Sequence, residues 1–221
     1  MVEGQKMSKS LGNAIAPDDL VAKYGLDQTR YFLMREVIFG NDGDFSHAGM
    51  LLRMNTELAN NIGNLTQRTL SQIAKNCDGK VPQPGILEDA DHELLNKAGQ
   101  AMLIAVRSEF EKMQFSRAIE EIVQVANAAN LYIDAQAPWT LKKTDPARMA
   151  TVLYVLAEAI RNIGLILQPF VPDSANRMLD QVAVAVDARD FGFIGSAHTL
   201  APGTALPAPA GIFPRFVEEA A

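Results

Sequence analysis

The chain of 221 residues contains one cysteine, one tryptophan and three histidines. A lone cysteine, Cys77, rules out a disulfide framework and a Cys-rich metal knuckle, and it suits a reducing compartment. His47, His92 and His198 each stand isolated, with no second ligand at metal spacing, so no metal site is expected. No run of 18 apolar residues is unbroken. The most apolar stretch, 152–167, is interrupted by Glu158, Arg161 and Asn162, so no membrane span is expected. The N-terminus lacks the basic region and apolar run of a secretory signal. No period of 20–50 residues repeats, which excludes a solenoid.

What remains is ordinary globular material: 48% hydrophobic and 21% charged residues. That is far too apolar for a disordered chain and the right size for one large domain or a domain with an appendage. A cytoplasmic globular protein is expected. With 20 basic and 26 acidic side chains the net charge is −6, which argues mildly against indiscriminate nucleic-acid binding. The charge is uneven, however. Only residues 51–80 are net positive, with Arg53, Arg68, Lys75 and Lys80 against Glu57 and Asp78. An anionic partner would be sought there first.

Periodicity predicts an all-α protein. Residues 1–14 are polar and read as a loop. Pro17, with Asp18 and Asp19 beside it, opens a short helix carrying Leu20, Val21 and Tyr24. A second begins near Asp27 and carries Tyr31, Phe32, Met34, Arg35 and Ile38. Asn41-Asp42-Gly43-Asp44 is a turn. Apolar positions then recur near every 3.6 residues over 46–76 and 89–113. The next helix is capped by Ser116 and ends before Pro138; another runs from Asp145-Pro146 to Gln168-Pro169, and a last one from Pro172 to about Val186. The closing Pro- and Gly-containing segment is expected to lie extended across the bundle. The division is therefore a small irregular unit (1–45), a helical bundle (46–186) and a tail (187–221). The nine methionines are expected to serve core or interface packing, and Phe170 to pack. Asn60, Asn61, Asn127 and Asn130 either line an RNA face or bridge helices.

The most informative string is Lys6-Met7-Ser8-Lys9-Ser10. Two ammonium groups three residues apart, flanked by hydroxyls and freed by Gly4 and Gly12, suit a loop that closes over a triphosphate. Lysine fits as a point charge on a flexible stem. A chance match to a specified pentapeptide in such a chain is on the order of one in ten thousand. This string is the second signature sequence of class I aminoacyl-tRNA synthetases. Pro17-Asp18-Asp19-Leu20, Lys23-Tyr24-Gly25, Arg30-Tyr31-Phe32-Leu33 and Asp42-Gly43-Asp44-Phe45-Ser46 resemble the stem-contact unit of that family, and the match is closest to the methionyl-tRNA synthetases.

Two further constellations bear on this. Asn64 and Arg68 are four residues apart and project from one helix face inside the positive block. An amide beside a planar guanidinium suits the edges of unstacked bases. Trp139, in Ala137-Pro138-Trp139, can be held rigidly at a bundle end and stack on a splayed base. Spacing alone leaves open that Asn64 contacts a neighbouring helix, that Arg68 forms a surface ion pair, and that Trp139 lies in the core. The resemblance implies that Asn64, Arg68 and Trp139 recognise a CAU anticodon. It also implies that Lys6, Ser8, Lys9 and Ser10 contact ATP, with Lys9 catalytic. The partners it implies are tRNA-Met, together with ATP (magnesium-bound) and methionine when a catalytic half is present.

The Rossmann-type domain of the family, with its His-x-Gly-His signature, has no counterpart here: no histidine pair has that spacing and no strand–helix alternation occurs. One cysteine likewise leaves no zinc insertion. The resemblance thus implies a fragment that begins just before the Lys6–Ser10 loop and is inactive alone. A free-standing RNA-binding module and a generic helical interaction protein are the alternatives. The leucyl, isoleucyl, valyl and cysteinyl enzymes share the loop, but Asn64, Arg68 and Trp139 form the methionyl pattern.

Overall fold

The computed structural model describes residues 1–195 and 197–217, and at Lys9 the backbone alone. Among the described residues regular structure is helical, with isolated β-bridges joining Val2 to Gln5 and Phe45, and Lys80 to Ala205. Helix α1 (Pro17–Tyr24) starts with proline in its first turn and ends at Gly25, which also precedes α2 (Leu26–Glu36). Gly25 has φ +95°, a backbone conformation that L side chains rarely adopt, so the tight α1–α2 corner requires glycine.

The helix expected over 46–76 is one continuous rod of mixed type. Ser46 Oγ caps α3 (His47–Arg53) by accepting from Gly49 N at 3.0 Å. The rod widens into a π-helical stretch, Met54–Gly63, and returns to α-geometry as α4 (Asn64–Asn76). The helix expected over 89–113 is also interrupted. Helix α5 (Asp89–Asn96) leads into a π-turn, Lys97–Ala101, kinked at Gly99 (φ −97°, ψ −122°), and then α6 (Met102–Glu111). Apolar spacing cannot separate i→i−4 from i→i−5 bonding, so both interruptions are invisible in the pattern.

Helix α7 (Phe115–Gln136) begins earlier than expected and without a side-chain cap. Ser116 instead donates through Oγ to the Arg35 carbonyl at 2.6 Å, so its role is between helices rather than at a terminus. A short α8 (Pro138–Thr144) was absent from the sequence reading, which ended a helix at Pro138 and resumed at Asp145. Asp145 does cap α9 (Pro146–Leu167), its Oδ1 accepting from Arg148 N at 3.0 Å. Helix α10 (Pro172–Gln181) stops short of Val186, where a 3-10 turn starts.

Helix α9 is the axis of the bundle, packed by α4, α5, α7, α8 and α10. It is long and apolar enough to cross a bilayer, yet 18 of its 22 residues are buried in the protein. Each fully buried Leu, Ile or Val contributes about 1.5–3 kcal/mol, so this helix supplies much of the apolar burial. Its buried polar residues fasten the tail. Arg161 donates to Glu158 Oε2 at 2.9 Å and to the Phe193 and Gly195 carbonyls at 2.7 and 3.3 Å, and Glu158 Oε1 accepts from Leu200 N. Farther on, Gln181 and Ala210 exchange two hydrogen bonds, as do Asn55 and Phe216.

A second, smaller core joins Val2, Leu20, Tyr24, Phe32, Phe45, Met50 and Met54. Five of the nine methionines are buried, whereas Met1, Met7 and Met113 are exposed. Phe170 is fully buried against Phe110. Helix α2 is clamped to the α9–α10 turn: Arg30 Nη2 donates to the Pro169 carbonyl at 2.7 Å, and Asp27 Oδ2 accepts from Ser174 N at 2.6 Å.

Candidate nucleic-acid interface and phosphate loop

The loop carrying Lys6, Ser8, Lys9 and Ser10 is folded by its own polar atoms. Asn13 spans it, accepting from Ser8 N at 2.8 Å and donating to the Lys6 carbonyl at 3.1 Å. Ser8 Oγ lies 2.8 Å from Ser10 Oγ and accepts from Leu11 N at 3.3 Å, while 9–11 form a single 3-10 turn. Lys6 and Ser10 are exposed; the side chain of Lys9 lies outside the described residues. The base of the loop is tied to the Asp42–Ser46 motif. Asp44 accepts from Gly4 N at 3.0 and 3.1 Å, and Phe45 N donates to the Met1 carbonyl at 3.0 Å. The loop is thus a polar finger on a small apolar base.

The second site lies where α4, α7 and α8 meet. Ala137 adopts the left-handed conformation (φ 43°, ψ 62°), turning the chain sharply so that Pro138 opens α8 and Trp139 faces outward, 42% exposed. This excludes the core placement that base rates favour for tryptophan. Arg68 Cζ sits 5.6 Å from the centroid of the Trp139 ring, a cation–π stack, and its Nη2 pairs with Asp134 Oδ1 at 2.6 Å. A cavity of about 460 Å³ is lined by Gln67, Arg68, Ser71, Gln72, Ile133 and Trp139. Asn64 is exposed and opens on a neighbouring cavity of about 670 Å³, walled by Asn60, Gly63 and the tail residues Gly211, Ile212, Phe213 and Arg215.

Gln67 lines both cavities. Its Nε2 donates to Ser71 Oγ at 3.2 Å, while its Oε1 is buried without a partner among the described residues. The sequence reading passed over Gln67, although its position three residues after Asn64 puts it on the same helix face. Of the four asparagines left open, Asn61, Asn127 and Asn130 bridge helices: Asn61 Nδ2 donates to Asn127 Oδ1 at 2.9 Å, and Asn130 Nδ2 to Asn61 Oδ1 at 2.7 Å. Asn60 Oδ1 accepts from Arg215 at 2.6 Å.

The positive block is also more nearly neutral than its count suggests. Arg53 is paired with Glu36 and Glu57, and Arg68 with Asp134. His47 Nδ1 is bonded to Tyr24 Oη at 2.5 Å. Burial pushes the Cys77 thiol up, away from the reactive thiolate. No group of three His, Cys, Asp or Glu side chains converges among the described residues.

Two family models match the chain. Residues 1–70 match that of class I tRNA synthetases (M), and residues 81–221 that of the anticodon binding domain of methionyl tRNA ligase. The methionine–tRNA ligase of Brucella suis is 54% identical over 215 residues, covering 97% of this chain and 41% of that protein. The Mycobacterium bovis enzyme is 46% identical, over 96% of this chain and 41% of its own length. Mycobacterium tuberculosis methionyl-tRNA synthetase in complex with methionyl-adenylate superposes with a TM-score of 0.91 at 46% identity, covering 97% of this chain and 43% of that one. Its apo form gives 0.89 at 44% identity. The chain spans about two fifths of the length of these relatives. With an all-helical fold, a Lys-Met-Ser-Lys-Ser loop and more than half its length matching a methionyl anticodon-binding domain, the chain belongs to the methionyl-tRNA ligase family.

Proposed function

We propose that this chain is the part of a methionine–tRNA ligase that reads the tRNA-Met anticodon and carries the ATP loop. Residues 1–45 form the loop and stem-contact unit, 46–186 the anticodon-binding bundle, and 187–221 the strap, working in the cytoplasm. The observation that carries the reading is the half-exposed Trp139 indole stacked on Arg68 beside two cavities, in a segment matched to the anticodon-binding family. Trp139 offers a rigid face on which a splayed base of the CAU triplet stacks. The Arg68 fork and the Asn64 amide supply donors and an acceptor to base edges. Arg68 pairs with Asp134 through Nη2 only, so its other guanidinium donors are available to a base edge at the same solvent-exposed rim.

In the first half-reaction the methionine carboxylate attacks the α-phosphorus of ATP and pyrophosphate leaves. Lys9 stabilises the charge that develops on the α-phosphate, Lys6 supports the loop, and Ser8 and Ser10 contact the nucleotide beside it. Magnesium comes with the nucleotide. The methionine and adenine pockets belong to a Rossmann-type half outside this sequence, so the isolated chain is expected to show no methionine-dependent ATP–pyrophosphate exchange. The reading is tested by titrating the chain with an RNA hairpin carrying a CAU loop. Trp139→Ala should weaken binding by about 1–3 kcal/mol, the usual worth of a base–aromatic stack. Equal binding by parent and variant, or indifference to the loop triplet, would sink it.

A further inference from the structure

Behind the Trp139 corner lies a buried polar cluster that touches neither cavity. Asp91 of α5 has no exposed side-chain surface. It receives two hydrogen bonds from Arg148 of α9, Nη1 to Oδ2 at 2.5 Å and Nη2 to Oδ1 at 2.8 Å, and a third from the Tyr132 hydroxyl of α7 at 2.5 Å. Arg148 Nη2 also donates to Gln136 Oε1 at 2.8 Å and lies 3.3 Å from Glu88 Oε2. Burial raises the Asp91 carboxyl, but the bonds from Arg148 and Tyr132 outweigh it and hold the group below the usual carboxylate range. The cluster is therefore a fixed, ionised anchor spanning three helices.

Gln136 is the last residue of α7, and the next three are Ala137, Pro138 and Trp139. A left-handed alanine is strained and persists only where its surroundings over-determine it. Backbone bonds close the corner without fixing the side chains it presents: Ala137 N donates to the Ile133 carbonyl at 3.0 Å, the Ala137 carbonyl accepts from Thr140 N at 2.8 Å and Leu141 N at 3.2 Å, and Pro138 has no N–H to give. Gln136 is the side chain through which the buried anchor reaches it.

We propose that Arg148, anchored by Asp91, is a positioning residue for the RNA-facing corner: through Gln136 it holds the left-handed turn and so the orientation of the Trp139 indole on Arg68. The RNA part of this proposal rests on the anticodon reading above; the indole part does not.

Trp139 is the single tryptophan, so fluorescence reports on it alone. The test compares Gln136→Leu, Gln136→Glu and Arg148→Lys in the full chain, with circular dichroism and thermal unfolding to establish that each is folded. Gln136→Leu and Arg148→Lys should raise acrylamide quenching of Trp139. They should also weaken binding of a CAU-loop hairpin about 3- to 10-fold, the span of one lost hydrogen bond. Gln136→Glu retains an acceptor for Arg148 and should restore both readouts. Unchanged quenching in folded Gln136→Leu and Arg148→Lys would overturn the proposal, as would failure of Gln136→Glu to rescue. A loosened indole in a chain that never distinguishes CAU from other loops would support the positioning role and overturn the anticodon reading.

Discussion

Replacing Glu57 by alanine should strike the junction between the loop-bearing unit and the bundle. The side chain is 12% exposed and lies in the π-helical stretch. It accepts from the Tyr31 hydroxyl at 2.7 Å, from Arg35 Nε and Nη2 at 3.1 Å each, and from Arg53 Nη1 at 2.6 Å. Removing one partner of a buried ion pair typically costs about 3–5 kcal/mol, because the other charge is stranded. Here both arginines keep a second acidic partner, Glu120 for Arg35 and Glu36 for Arg53, and these are 42% and 36% exposed. That partial rescue lowers the expected cost to about 2–4 kcal/mol. In a chain of this size each kcal/mol moves Tm by about 2–4 °C, so a fall of roughly 4–16 °C is expected. Glu57→Gln keeps an acceptor for Tyr31 and should cost about half as much. Thermal and urea unfolding followed by circular dichroism measure the effect, and amide exchange should place the added opening in α2. A loss below about 1 kcal/mol for Glu57→Ala would refute the view that this cluster joins the two units.

The same carboxyl sets an acid response. Burial raises it, but hydrogen bonds from Arg35 and Tyr31 prevail and lower its pKa. Its stabilisation, and that of Asp91, is therefore complete above the ordinary carboxylate range near pH 4 and is lost as pH falls through the depressed folded values; a stability profile flat from neutral down to well below that range would contradict this. Arg161→Ala strands the 2%-exposed Glu158 carboxylate and releases the tail carbonyls it holds, so a loss of about 3–5 kcal/mol and faster proteolysis within 190–217 are expected. Gly164→Ala places a Cβ 3.0 Å from Leu179 Cδ2 at the α9–α10 contact. The overpacking, about 1–3 kcal/mol, should exceed the gain in helix propensity of up to about 1 kcal/mol and lower the urea midpoint.

Local chemistry made the helical class readable in advance. Proline in first turns, the Asp145-Pro146 start and apolar residues every third or fourth position act within a few residues, so they mark helices without any knowledge of the fold. The Lys6–Ser10 loop and the spacing of Asn64 and Arg68 were legible for the same reason. Ser116 was misread because a serine near a helix start caps by default, and only the approach of Arg35 from α2 draws its hydroxyl away. Helix α8 was missed because two prolines bracket it too closely for a period to show, and the π-helical stretch because its apolar residues still fall on one face.

By itself, then, the sequence determined the all-helical class, the polar loop at the N-terminus and the identity of the residues able to meet phosphate or bases. Tertiary structure alone decided what those residues do with one another. Trp139 is half-exposed only because a left-handed Ala137 throws it outward, and it meets Arg68 only because α4 and α8 pack together on α9. The positive block loses much of its net charge to Glu36 and Asp134, which lie elsewhere in the chain and pair with Arg53 and Arg68. Composition counts charges, but pairing depends on which helices touch, and that is settled by burial of apolar faces across the whole bundle.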